Sequence, residues 1–291
     1  QLTKELRFKG GTVNQQNSLS FEGHVFIGDK DKAKNNNIAI KAKEFQISIL
    51  ERFLGNLFTN MQGFLTGDVN LDGAFNNLTV TGKGRLRDAG LKVIFTQCFY
   101  KIKDTDIELK PTEINLDGIV LTDTVTGNPI YLRGGIEHQA FKNMFYALDI
   151  STQKPNTVDE DNNKPVQLLR TTLKNNKQFY GDVKGTGVLT LAGPQSDMYM
   201  KIDAYASDED SSFITIPSST SRESGIADFL VERKYGREMN DSDVKNNATN
   251  IIYDVDVTAN PMVTVKLVLD ELTGDVIKGR GSGNLNIRSG S

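Results

Sequence analysis

Tryptophan is absent from these 291 residues, cysteine occurs once, at Cys98, and histidine twice, at His24 and His138. One cysteine excludes an intrachain disulfide, and a lone thiol fits a small apolar core position. Two histidines, both in strand-like settings, leave little material for Ser-His-Asp or Cys-His catalysis, and neither HExxH nor GxSxG occurs. His138 beside Glu137 reads as an exposed polar residue at a strand end. A zinc site built from one cysteine and two scattered histidines is not expected.

No run approaches the ~18 apolar residues that a membrane-crossing helix requires. With 34 basic and 37 acidic residues the net charge is −3, and no Lys/Arg-rich run stands out, so nucleic acid is not an expected partner. Gln1 at the start and a closing Ser-Gly-Ser read as a piece of a longer chain.

Alternation is what the sequence has in quantity. Ile38 to Lys43, Val69 to Asp72, Ile107 to Lys110, Met198 to Ala204, Ile251 to Val257 and Val263 to Asp270 each place apolar residues at every second position. Each is the pattern of a strand with one greasy and one wet face. Asp72-Gly73, Asn76-Asn77, Asp117-Gly118, Thr126 to Pro129, Ala192 to Pro194 and Ala259 to Pro261 supply turns between them. The expected class is all-β, with meander-like connections. One segment breaks the period: Leu50, Phe53, Leu54, Leu57 and Phe58 follow a Ser48…Glu51 capping box and predict a short amphipathic helix over 48–60. A weaker helical pattern runs from Ser224 to Lys234, with Ile226, Phe229 and Leu230 on one side. Polar stretches at 151–164 and 238–250 read as loops. The first of these separates a first β segment, 1–150, from a second, 165–291, that continues the same sheet.

GDVNLDG, GDVKGTG and GDVIKGRGSG, starting at Gly67, Gly181 and Gly274, raise the question of a phosphate loop. Such a loop needs its glycines at a strand-to-helix turn, where free amides and the helix dipole meet the anion. Here alternation continues after the glycines, so they read as places where a strand bends or another backbone comes close. The carboxylates Asp104/Asp106, Asp254/Asp256, Asp159-Glu-Asp161 and Asp208-Glu-Asp210 lack the spacing of a calcium loop and read as solvated faces and loops. No catalytic, cofactor or metal residue is therefore assigned, and an enzyme is not expected.

Several stretches in order resemble a known family. They are Met61-Gln-Gly63-Phe-Leu-Thr-Gly67-Asp-Val-Asn-Leu-Asp-Gly73, Leu78-Thr-Val80-Thr-Gly-Lys-Gly84-Arg-Leu86-Arg-Asp-Ala89-Gly-Leu91, and Leu121-Thr-Asp123…Gly127-Asn-Pro-Ile-Tyr-Leu132-Arg-Gly-Gly-Ile136-Glu-His138. Phe179-Tyr-Gly181-Asp-Val-Lys-Gly185-Thr-Gly187…Ala192-Gly-Pro194 and Val255-Asp-Val-Thr258-Ala-Asn-Pro261…Gly274-Asp275-Val-Ile277 follow. Over about residues 45–290 the chain resembles the TamB family of translocation and assembly module proteins, AsmA-like members of the bridge-like lipid transfer group. It is most similar to Bacteroidetes-like members, near their C-terminal region.

The resemblance implies an elongated curled β-sheet, a taco or half-pipe with a hydrophobic interior. That sheet would stand in the periplasm of a Gram-negative bacterium and carry phospholipid acyl chains between the membranes in outer-membrane biogenesis. It also implies an inner-membrane anchor outside this chain and an Omp85/BamA-like outer-membrane barrel as partner of a C-terminal part not present. Groove-lining positions are then expected at Val69, Leu71, Leu109, Met198, Met200, Ile202, Val265, Leu267 and Leu269. The same residues would equally fill a closed core. Two other functions stay beside the conduit: a scaffold or chaperone for β-barrel assembly and protein secretion that uses exposed strand edges, and an extracellular β-solenoid enzyme or adhesin, which the lack of Trp and of a carboxylate cleft disfavours.

Overall fold

Alternating apolar and polar residues favour extended chain, because successive side chains of a strand leave opposite faces. The structure, a computed structural model, describes residues 4–12, 17–27, 34–55, 57–157, 159–177, 179–217, 250–270 and 273–289, with the dipeptides 233–234 and 237–238. Nearly all of them are strand. The order begins β1 Lys4–Gly11, β2 Ser18–Ile27, β3 Asn36–Gln46, β4 Phe58–Ala74, β5 Asn77–Val93, β6 Phe99–Ile102, β7 Thr105–Lys110, β8 Glu113–Asn115, β9 Val120–Asp123, β10 Pro129–Gln139 and β11 Lys142–Ser151. It continues with β12 Val166–Arg170, β13 Tyr180–Pro194, β14 Asp197–Ala206, β15 Ser212–Ile216, the dipeptides β16 Arg233–Lys234 and β17 Arg237–Glu238, β18 Asn250–Ala259, β19 Val263–Asp270, β20 Asp275–Arg280 and β21 Gly283–Arg288. Apart from the β16–β17 ribbon, these strands form one 19-stranded sheet.

The sheet is a stack of rungs. β1 to β5 pair in succession, antiparallel. The far edge of β5 is then shared by β6 and β7, which meet β9 and β8, and both of these meet β10. β10 pairs with β11, and β13 takes β11 and β12 on one edge and β14 and β15 on the other. β18 and β19 add to β14 and β15 in parallel, and β21 and β20 close the series. The sheet thus runs unbroken past the 151–164 loop, since β11 contacts β13 directly.

Splitting one rung into two short strands marks a corner, and the corners line up. In β3 to β5 the chain turns at Glu44, Asn60, Gly63 and Asp88, all with positive φ, and the β3–β4 and β4–β5 registers slip there. Further along, residues 103–104, 116–119, 207–211, 260–262 and 281–282 interrupt the rungs. In β10 the corner is Gly134, at φ 94°, between the residues paired to β9 and those paired to β8. The corner line divides the sheet into two limbs that fold toward each other. The first holds β1–β3, β7, β8, β11, β14, β18 and β21, and the second β6, β9, β12, β15, β19 and β20.

The helical segment near 48–60 is shorter than its periodicity predicts: a 3-10 turn over Ile47–Leu50 and one α turn over Glu51–Leu54, with β4 already begun at Phe58. Spacings of i+3 and i+4 at Leu50, Leu54, Leu57 and Phe58 serve a turn followed by a strand as well as a long helix. Ile47 is buried with Met61, Leu86 and Ala89, and Leu50, Leu54 and Phe58 pack against them. The helical pattern at 224–234 and the polar stretch 238–250 fall, but for the dipeptides and Asn250, outside the described residues.

Gly134 carries the sharpest local constraint. A Cβ built there would lie 2.0 Å from the Ala147 carbonyl oxygen, at a φ of 94° that L side chains avoid. Gly134→Ala is expected to destabilise the fold by about 2–4 kcal/mol in urea unfolding, because strain and clash add.

Candidate functional site

Strand register places one apolar face across almost the whole sheet. In the first limb Ile40 stands opposite Phe21 and Val69, Val69 opposite Gly82, and Gly82 opposite Leu109. The line continues from Leu109 through Ile114, Ile136 and Tyr146 to Gly193. A neighbouring line joins Leu148, Leu191, Met200 and Tyr253. In the second limb Ile214 pairs with Val265, and Ile216 with Leu267, on the face that Val183 and Leu169 share. The opposite face is wet: Lys9 faces Glu22, Lys83 faces Glu108 and Arg85 faces Asp106 in directly opposed cross-strand ion pairs. Asp254 and Asp256 also lie there, both accepting from the Asn286 amide at 2.8 and 2.6 Å. That bond and Arg288 hold the Asp254 carboxyl below its usual range.

The nine residues expected to line a groove fall in three environments. Met198, Met200, Ile202 and Val265 belong to one central cluster with Tyr146, Leu148, Leu169, Val183 and Ile214, drawn from both limbs. Val69, Leu71 and Leu109 are half-buried on the first limb. Leu267 and Leu269, 39% and 51% exposed, lie open on β19.

The middle of the interior is filled. Leu57 and the β5–β6 turn reach in, the turn fixed by the Ile94 N–H donating to the Leu57 carbonyl and the Arg170 N–H donating to that of Thr96. Phe95 at its tip meets Tyr253 and Phe179 at centroid distances of 5.5 and 6.0 Å, and those two rings lie 6.0 Å apart. This aromatic trio closes the first limb against the second, and no local sequence signal announces it. Toward β1 the inner face emerges again: Phe21 packs on Phe8 at 6.1 Å and stays largely exposed, as does Leu6. An apolar face thus opens at both ends of a packed centre.

Polar groups inside are few and mostly satisfied. Buried Asp123 accepts from the N–H groups of Val125, Thr126 and Gln167 and from the Thr126 hydroxyl. The Gln167 amide donates to the carbonyls of Leu169 and Val183 and to the Asp182 carboxylate, while the Tyr100 hydroxyl donates to the Gln167 carbonyl. This network fastens β12 to the β9–β10 turn. Cys98 lies beside it, its thiol pushed up to about 11 by burial. His138 is buried at 3% exposure, which corrects its reading as an exposed strand-end residue. Ile136 and His138 share the inward parity of β10, and Glu137 between them takes the outer face.

The glycine stretches do not form a phosphate loop. A Cβ at Gly67 would lie 2.2 Å from the Lys83 carbonyl oxygen, so the residue serves close strand approach, and Gly274 turns the chain at φ 74° between β19 and β20. Among the described residues no group of His, Cys, Asp and Glu is arranged to hold a metal ion, and no helix is long and apolar enough to cross a membrane. Two shallow concavities lie at the β4–β5 turn and over Lys83, Arg85 and Asp106.

Fold and face define an all-β protein with one curled sheet, wet outside and apolar inside. No model of a known protein family, no curated protein and no solved structure matches the chain.

Position along the face separates two substitutions of the same kind. Met200→Glu buries a carboxylate in the packed centre and is expected to cost more than about 3 kcal/mol in chemical denaturation, whereas Leu267→Glu at the open end should cost under about 1 kcal/mol. Because the Cys98 thiolate is disfavoured by burial, iodoacetamide at pH 8 is expected to leave the folded protein unlabelled and to label it in urea, read by intact mass.

Proposed function

We propose that this chain is a segment of a lipid conduit, carrying phospholipid acyl chains along the inner face of its curled sheet. The observation that carries the reading is the register-continuous apolar face, which emerges to solvent at the β1–β3 and β19–β20 ends. Each methylene that leaves water on such a face gains ~0.8 kcal/mol, so an acyl chain recovers there much of what it loses on leaving a bilayer. A charged outer face keeps the same sheet hydrated. In this form the centre is occupied by Leu57, Phe95 and Phe179. Passage therefore requires acyl chains to take the place of these side chains, with the β5–β6 turn moving aside.

The resemblance to TamB proteins supports the wider setting. There the chain would stand in the periplasm as part of a protein anchored in the inner membrane and joined to an Omp85/BamA-like barrel, and would serve outer-membrane biogenesis. A second reading has its own support: β1 on one side, and β20 and β21 on the other, have no partner on their outer edges among the described residues. Such edges suit strand addition by a client β-barrel or a neighbouring sheet, the mode of an assembly scaffold.

Photo-crosslinkers at Phe21, Met200 and Leu267, with Lys201 as an outer-face control, separate the two. Lipid adducts at the three inner positions and none at Lys201, with phospholipid released from the purified chain in native mass spectrometry, are the expected result. A lipid-free chain whose crosslinks run only from β1 and β20 to protein would replace the conduit with the scaffold.

A further inference from the structure

At Lys9 and Glu22, Lys83 and Glu108, and Arg85 and Asp106 the register sets opposite charges across from each other on the outer face. The β19–β20 ladder does the reverse: Lys266 stands directly opposite Lys278. Arg280 follows Lys278 by two residues on the same side of β20, roughly 7 Å along the strand. Like charges in direct opposition cost stability. Asp203 and Asp256 also oppose each other, but Lys201 pairs with the first and the Asn286 amide donates to the second. The three cations lack such relief. Among the described residues no carboxylate pairs with them: Lys266 Nζ lies over the Phe213 ring, 4.4 Å from its centroid, and Arg280 Nε donates to the Thr264 hydroxyl at 2.9 Å.

Apolar side chains flank the same cations. On the inner side Leu267 faces Ile277, and Ile277 is 56% exposed. On the outer side Val268 faces Val276, two residues nearer the turn, and Val276 is 39% exposed. This valine pair separates the cations from Asp270 and Asp275 at the turn, where the Thr273 N–H donates to Asp270 and its hydroxyl donates to Asp275 at 2.8 Å. β20 pairs with β19 alone among the described residues, so its other edge is open. Cations and apolar side chains thus stand together along a free edge at one end of the sheet, where a flat surface can approach.

We propose that the β19–β20 ladder is a docking surface for an anionic phospholipid bilayer, approached along the free edge of β20, with Lys266, Lys278 and Arg280 at the level of the phosphates and Val276 and Ile277 entering the interface. The proposal goes beyond the conduit reading, because it assigns an attachment and requires no lipid to enter the sheet. An anionic leaflet supplies what the three cations lack, negative charge spread in a plane, and relieves the opposition of Lys266 and Lys278. It also holds an apolar layer directly beneath its phosphates, which suits valine and isoleucine beside lysine and which an acidic protein surface does not offer.

The test is flotation of the chain with vesicles of phosphatidylcholine alone or of equal parts phosphatidylcholine and phosphatidylglycerol. The wild type is expected to float with the second and not the first. Lys278→Ser should weaken that binding about five-fold, the worth of one cation at an anionic leaflet. Val276→Ser should weaken it too, whereas Lys83→Ser, which removes an outer-face cation already paired with Glu108, should leave it unchanged. Lys278→Glu should abolish binding yet melt at or above the wild-type temperature, since it gives Lys266 an opposite partner. Equal flotation with both vesicles, or anionic-vesicle binding that survives Lys278→Glu, overturns the docking surface. So does a chain that ignores both vesicles and is held through Lys278 on immobilised poly-glutamate, which assigns the patch to an acidic protein. The conduit is read separately, from lipid adducts at Phe21, Met200 and Leu267, and stands or falls on those.

Discussion

Everything in this sheet depends on parity: in a strand, every second side chain shares a face, and a slip of one residue would send the whole apolar set outward. The chain keeps that parity in step over rung after rung. Lys83 opposite Glu108 and Arg85 opposite Asp106 show the outer face doing the same with charges. Exposed pairs of this kind add little stability. Their role is to make the wrong face costly, because a one-residue slip would put these charges inside and Ile107 and Leu109 outside.

Strands were readable for this reason, and their placement was not. Met198 to Ala204 and Ile251 to Val257 are recognisable strands from alternation alone, yet nothing local says that they lie side by side and parallel. The corners are equally silent. Glu44 adopts positive φ although no turn rule favours it, and Asn60 and Asp88, which tolerate that region, stand without a Gly or Pro directly beside them. The pattern overstates the helix because Leu57 and Phe58 satisfy a helical period while the tertiary structure uses them in a turn and a strand. Among the candidate site residues, face membership could be read from the pattern; burial could not, since it depends on whether a second limb lies overhead. Met200 and Leu267 have the same local pattern and opposite environments. Polarity makes His138 read as exposed, although its parity with Ile136 points inward.

Closure of the centre and openness of the ends have one geometric origin. Only rungs whose two halves fold onto each other can bury their inner face, and β1 to β3 contribute to a single limb. Phe95 and Phe179 then act as a keystone where both limbs are present, holding β18 through Tyr253. The buried bonds from Asp123 and Gln167 do the corresponding work for β12, which among the described residues has no strand partner on its second edge.

β18 and β19 join the rest through parallel ladders, whereas every earlier neighbour in the sheet is antiparallel. Parallel ladders are slightly weaker per residue and cannot be closed by a tight turn, so the last two rungs cannot assemble by hairpin extension. They form their own antiparallel pairs, β18 with β21 and β19 with β20, and the Asn260 amide donates to the carbonyls of Ala206 and Ser207 at the join. Release of those two parallel ladders would uncover the edges of β14 and β15 and part Tyr253 from Phe95 and Phe179, while the bonds of Gln167 to β13 stay in place.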